Sequence, residues 1–202
     1  MKLSIPTALA AALILSAAPV PAQEAAWQNS YKLEAAGKYN EASAAIDQVP
    51  ANGADAEMKT LRRGWLFYMS GAFNESIREY RLAMDRNSKS IDARLGVILP
   101  LLAQKRWREA EQGAKAVLDL APNNYTALLR LAIAQEAQRD WLPMAKTSSI
   151  MVAGYPTDAS GYVYLARANA WLNRRDDAAA AYSAVLSRVP GHLEAKAYLE
   201  GK

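Results

Sequence analysis

Large apolar side chains return along this chain at a constant interval of 34 residues. Leu61, Leu95, Leu129 and Val163 form one such series, and Tyr39, Phe73, Trp107 and Trp141 form a second. Around the second series a short turn-like segment keeps the same spacing: it reads Gly37-Lys38-Tyr39-Asn40-Glu41-Ala42, then Gly71-Ala72-Phe73-Asn74-Glu75-Ser76. Later copies drift but hold their place, at Lys105 to Ala110, Arg139 to Met144 and Asn173 to Ala178. Pro122, Pro156 and Pro190 carry the interval once more. Proline cannot continue a helix, so each marks a helix stop. A Gly or Asn opening the turn marks another, because the residue after a helix commonly takes the left-handed conformation. The period divides the chain into five copies spanning 23–56, 57–90, 91–124, 125–158 and 159–192, each predicted to be helix, tight turn and helix. Such units cannot bury their apolar faces alone, so stacked neighbours build one continuous core.

Departures from the pattern predict local irregularity. Lys105 and Arg139 stand where Gly or Asn suits the turn, which predicts strained or differently built turns in copies three and four. Arg175 replaces the large residue expected to wedge between the two helices of the fifth copy. Ala54 and Ser88 occupy the places of the closing proline and Pro50 comes early, making the first loop between copies the least regular. Pro100 falls inside a first helix, where it removes a backbone donor and presses on the carbonyl of Gly96; a kink is expected, eased by the missing side chain. Pro143 lies in the first turn of a helix, where proline is tolerated.

On these turn, wedge and proline positions the chain resembles the tetratricopeptide repeat family across 23–192. The resemblance implies an all-α, right-handed α-solenoid of five tandem helix-turn-helix repeats closed by a C-terminal capping helix at 193–202, with Leu193, Ala197, Tyr198 and Leu199 packing back and the charged residues facing outward. It also implies a protein-interaction scaffold whose concave face is lined by the first helices at repeat positions 2, 5, 9, 12 and 13. Mapped onto this sequence, the partner-binding groove comprises Trp27, Tyr31, Leu61, Trp65, Tyr68, Met69, Leu99, Leu102, Ile133, Arg167 and Trp171, with Arg62 and Arg130 as candidate polar anchors. Most of this lining is apolar or aromatic, which suits an apolar or amphipathic polypeptide segment. Leu61, Leu95, Leu129 and Val163 serve equally well as packing between adjacent first helices. The family's carboxylate clamp, in which lysine, asparagine and arginine of successive first helices grip a C-terminal carboxylate, is not reproduced: where lysine is expected at position 5 stand Trp27, Leu61, Leu95, Leu129 and Val163, and where asparagine is expected at position 9 stand Tyr31, Trp65, Leu99, Ile133 and Arg167.

Residues 1–22 differ in character: Lys2, an apolar run from Ala8 to Ala18, then Pro19-Val20-Pro21-Ala22. This reads as a cleavable export signal with the cut before Gln23, where the repeat register begins. A periplasmic or secreted protein without stable membrane insertion follows, and the absence of cysteine from the whole chain argues against disulfides and lipid attachment. The formal charge of +4, one unit of it from Lys2 in the leader, is spread over the repeats and points away from nucleic acid. The single histidine, His192, reads as a surface-loop residue, and no catalytic motif, metal-ligand cluster or cofactor loop appears. The expectation is a non-enzymatic adaptor of the bacterial envelope. The alternatives are a scaffold that associates with further copies of itself, or an accessory subunit of an envelope enzyme, secretion or polysaccharide-export complex.

Overall fold

The computed structural model describes residues 22–52 and 55–201. Of the expected leader, only Ala22 falls within the described residues, as the first residue of a helix. Eleven helices and no strand occur among these residues: α1 (Ala22–Ala35), α2 (Tyr39–Ala45), α3 (Asp55–Met69), α4 (Phe73–Arg86), α5 (Ile91–Ala103), α6 (Trp107–Leu120), α7 (Tyr125–Gln138), α8 (Trp141–Gly154), α9 (Ala159–Trp171), α10 (Arg175–Arg188) and α11 (Leu193–Leu199). Each helix packs on its chain neighbours, and first helices also touch across repeats, α3 on α5, α5 on α7 and α7 on α9. This is an α-solenoid of tandem helical hairpins.

Every hairpin turn is closed by the same hydrogen bond. The backbone N–H of Lys38, Ala72, Arg106, Asp140 and Arg174 donates to the carbonyl of Leu33, Phe67, Leu101, Gln135 and Asn169 respectively, at 2.8–2.9 Å. This closure requires a left-handed residue just before the donor. Gly37 and Gly71 supply it, and Lys105, Arg139 and Asn173 adopt it too, with φ of 58°, 61° and 58°. Copies three and four therefore do not rebuild the turn; they accept the strain, about 1–2 kcal/mol for each non-glycine side chain. At the opposite end of the repeat, Ser90, Asn124, Asp158 and His192 form a column of N-caps, accepting from the backbone N–H of Ala93, Ala127, Ser160 and Ala195. His192, read from sequence as a loop residue, thus has a structural place as the cap of α11, through Nδ1.

Pro50 explains the one short second helix. Its ring would collide with the carbonyl of Ile46, and the residue before a proline avoids the helical region, so α2 stops at Ala45 and winds on through tight turns from Asp47 to Ala44 and from Val49 to Ile46. Pro100 does not interrupt α5, which continues to Ala103 with Pro100 buried. Gly96 is needed for another reason. The ring of Tyr80, from α4, fills the space beside it: a Cβ on Gly96 would lie 2.1 Å from that ring, and a Cβ on Gly64 of α3 would lie 2.9 Å from it. Two glycines on successive first helices form a slot for one tyrosine.

The core follows the repeat. Ala42, Ser76, Ala110, Met144 and Ala178, one per second helix, are wholly buried where each hairpin crosses itself. Four of the five are small, which lets the two helices approach closely; the exception is Met144 in α8. In α11, Ala195 is buried and Tyr198 packs on Tyr182, with ring centroids 4.7 Å apart. This phase turns Leu193 and Leu199 outward, contrary to the expectation that they pack back, and draws Glu194 inward. Among the described residues no helix is long and apolar enough to cross a membrane, and no group of three His, Cys, Asp or Glu side chains is placed to hold a metal ion.

Candidate interaction groove

Because first helices touch across repeats while second helices contact mainly the helices that flank them, α1, α3, α5, α7 and α9 form the inner, concave layer. Repeat positions 5 and 9 are its expected lining. At position 5, Leu61, Leu95 and Leu129 are half-buried and pack at the margin of the core clusters, so packing takes part of each, while Val163 belongs to the core. Leu99, Leu102 and Ile133 are half-buried beside them. Tyr31, Met58, Met69 and Trp171 project furthest, with 54%, 54%, 36% and 66% of their surface exposed.

The N-terminal end of the groove is tied together by Glu34. Burial pushes its carboxyl up, but hydrogen bonds from Trp65 Nε1 (2.5 Å) and from Arg62 outweigh this and hold it below the ordinary range. Arg62 is almost fully buried, donates to Ser30 Oγ at 3.1 and 3.2 Å, and covers the Tyr31 ring at 4.0 Å. Of the two arginines proposed as polar anchors, this one is already paired within the protein.

At the C-terminal end Arg167 takes the equivalent role. It bridges Glu136 (3.1 Å) and Glu194 (2.7 Å), and Glu194 also accepts from the Tyr182 hydroxyl at 2.6 Å. Hydrogen bonding from Arg167 is the main reason the Glu194 carboxyl lies below the usual glutamate range. Trp171 stacks on Trp141, with centroids 5.0 Å apart and planes 3° from parallel. Since Trp141 opens α8, this contact pins Trp171 to the hairpin-turn rim of the groove rather than its floor. Trp27 packs against the small N-terminal core of Ala26, Ile46 and Val49.

In the middle, Arg130 donates to the carbonyl of Leu95 and has no ion pair to a carboxylate among the described residues. Burial lowers its pKa, opposed by its electrostatic neighbours Tyr80 and Tyr68. The Tyr80 phenol is itself pushed up to about 12, chiefly by burial. Tyr80 was not anticipated from sequence; the signal was two glycines in helix interiors, where glycine costs stability unless something needs the space.

Residues 161–192 match a sequence profile described as tetratricopeptide repeat, which falls on the fifth repeat. No curated protein matches the sequence. Solved structures with the same fold include a tetratricopeptide repeat protein from Parabacteroides merdae, 14% identical, with 89% of this chain and 72% of that one covered and a TM-score of 0.76. A double mutant of MamA from RS-1 is 15% identical over 88% of this chain and 99% of that one, TM-score 0.75. The segment of MamA from residue 41 to its end, from Desulfovibrio magneticus RS-1, is 16% identical over 87% and 99%, TM-score 0.71. At these identities the likeness concerns the fold.

Proposed function

We propose that this chain, a tetratricopeptide-repeat protein in its fold and in the sequence of its last repeat, is an adaptor of the bacterial envelope that holds an apolar or amphipathic segment of another polypeptide in its concave groove. The fold is in general one of protein-interaction scaffolds, and fold alone does not choose a ligand. One observation supports the finer reading: the first-helix residues Tyr31, Met58, Leu61, Trp65, Leu99, Leu102 and Ile133, spread over repeats one to four, are apolar or aromatic and keep part of their surface exposed. A polypeptide laid along them removes that surface from water at about 25 cal/mol per Å². The envelope location rests on the export-signal pattern of residues 1–22.

The test is capture from an envelope extract by protein beginning at Gln23. It is compared with a groove variant (Trp65→Ala, Leu99→Ala, Ile133→Ala) and a convex-face variant (Leu142→Ala, Ile150→Ala), both checked for unchanged helicity. Loss of the same partner from the groove variant alone supports the reading. Equal capture by all three, or capture only of further copies of the chain, contradicts it. N-terminal sequencing of the protein from cells tests the location: a start at Gln23 in the periplasmic fraction agrees, and an intact Met1 does not.

A further inference from the structure

We propose that Arg130 is the receptor for a single internal carboxylate, an Asp or Glu side chain flanked by apolar residues, on the polypeptide that occupies the groove. The proposal rests on the groove reading above and adds the chemistry of its centre.

Arg62 and Arg130 occupy the same position of repeats two and four, so their surroundings can be compared residue for residue. Arg62 meets two partners from the preceding repeat: the Glu34 carboxylate, 28 residues earlier, and the Ser30 hydroxyl, 32 residues earlier. The residues standing in those relations to Arg130 are Leu102 and Ile98. Both are apolar. Arg130 is half-buried where Arg62 is almost fully buried, has no carboxylate counter-ion among the described residues, and makes its one hydrogen bond there to the Leu95 carbonyl. Taking a charge out of water without a partner is costly, and a guanidinium is always charged at physiological pH. The remaining N–H groups form a fork suited to a carboxylate.

The surroundings favour an internal carboxylate over a terminal one. The Arg130 guanidinium reaches back to the Leu95 carbonyl of repeat three, with the partly exposed apolar residues Leu61 and Trp65 in repeat two before it and Leu129 and Ile133 in repeat four. A chain ending at Arg130 would leave Leu129 and Ile133 uncovered. One threaded past it places apolar side chains on either side and one acidic group at the centre. The Tyr80 phenol, held between Gly64 and Gly96, is protonated at physiological pH and is an electrostatic neighbour of the same guanidinium. It adds no competing negative charge.

The experiment uses protein beginning at Gln23 and an array of short peptides, acetylated and amidated, of Leu, Ile, Phe, Ala and Ser with one central Glu, beside the same array with Gln. Wild-type protein is expected to bind members of the Glu array about tenfold or more tightly than their Gln counterparts, the range of a charge-assisted hydrogen bond. Arg130→Gln is expected to abolish that preference while keeping the weaker binding. Leu102→Glu, which places a carboxylate where Arg62 has one, should abolish it too. It should also lower the melting temperature of the Arg130→Gln protein more than that of the wild type, a coupling readable without any ligand. Equal binding of the Glu and Gln arrays overturns the inference and leaves the groove reading standing. Preference for a free C-terminal carboxylate over the internal one also overturns it. Failure of every peptide to bind overturns both.

Discussion

Substituting Gly96 by Ala sets helix propensity against packing, and the structure decides which wins. In an exposed helix interior the change gains about 1 kcal/mol. Here the new methyl would lie 2.1, 2.4 and 2.5 Å from three atoms of the Tyr80 ring, where carbon atoms normally keep about 3.5–4.0 Å. The ring must move more than about 1 Å, and Gly64 closes its other side at 2.9–3.0 Å. Overpacking of this kind costs about 1–3 kcal/mol, and the absence of an escape direction puts it at the upper end. The net effect is a loss of about 1–2 kcal/mol, or a fall in melting temperature of about 2–8 °C for a domain of this size. The assay is thermal unfolding followed by circular dichroism. Tyr80→Leu supplies the second arm: in that background Gly96→Ala should be neutral or stabilising, because the obstacle is gone. Gly154→Ala, with nothing within 4 Å of the added Cβ, is the control and should not destabilise. A Gly96→Ala protein that melts at or above the wild type refutes the slot.

Other consequences can be measured in the same way. Lys105→Gly and Arg139→Gly should each raise the melting temperature by relieving left-handed strain worth about 1–2 kcal/mol, whereas Gly71→Ala should lower it. Glu194 has a folded pKa depressed by Arg167 and Tyr182, so its contribution is present above the unfolded glutamate value of about 4.3 and is lost as pH falls through the lower folded value. Glu194→Gln should flatten the acid limb of the stability profile and increase amide exchange in α11 at neutral pH. Trp141→Ala should unstack Trp171, seen as a loss of near-ultraviolet ellipticity with little change in helicity.

The repeat was readable in the sequence because its markers are chemically constrained: prolines stop helices, and a left-handed residue must close each turn. That constraint held even where the residue type did not advertise it, since the hydrogen bonds closing the turns at Lys105 and Arg139 are the same as those at Gly37 and Gly71. The N-cap column was not read from the sequence: Ser90, Asn124, Asp158 and His192 differ so much in kind that their shared acceptor role emerges only from geometry. Periodicity placed the groove residues on the first helices and could not say which of them were already engaged. Arg62 and Arg130 look alike in sequence; the difference lies in Glu34 against Leu102, residues that meet them only across the repeat interface. The slot for Tyr80 depends likewise on three helices at once. Trp171, assigned to the groove by its repeat position, is drawn to the rim by Trp141 of the preceding repeat.

On the proposed function, a polypeptide partner lies along the inner layer. A photoreactive benzoyl-phenylalanine placed at Leu99 in the groove, and separately at Ile150 on the convex face, tests it in living cells. The expected result is a cross-link to a different polypeptide from position 99 and none from position 150. Cross-linking from position 150 alone, or from position 99 only to other copies of this chain, would contradict it.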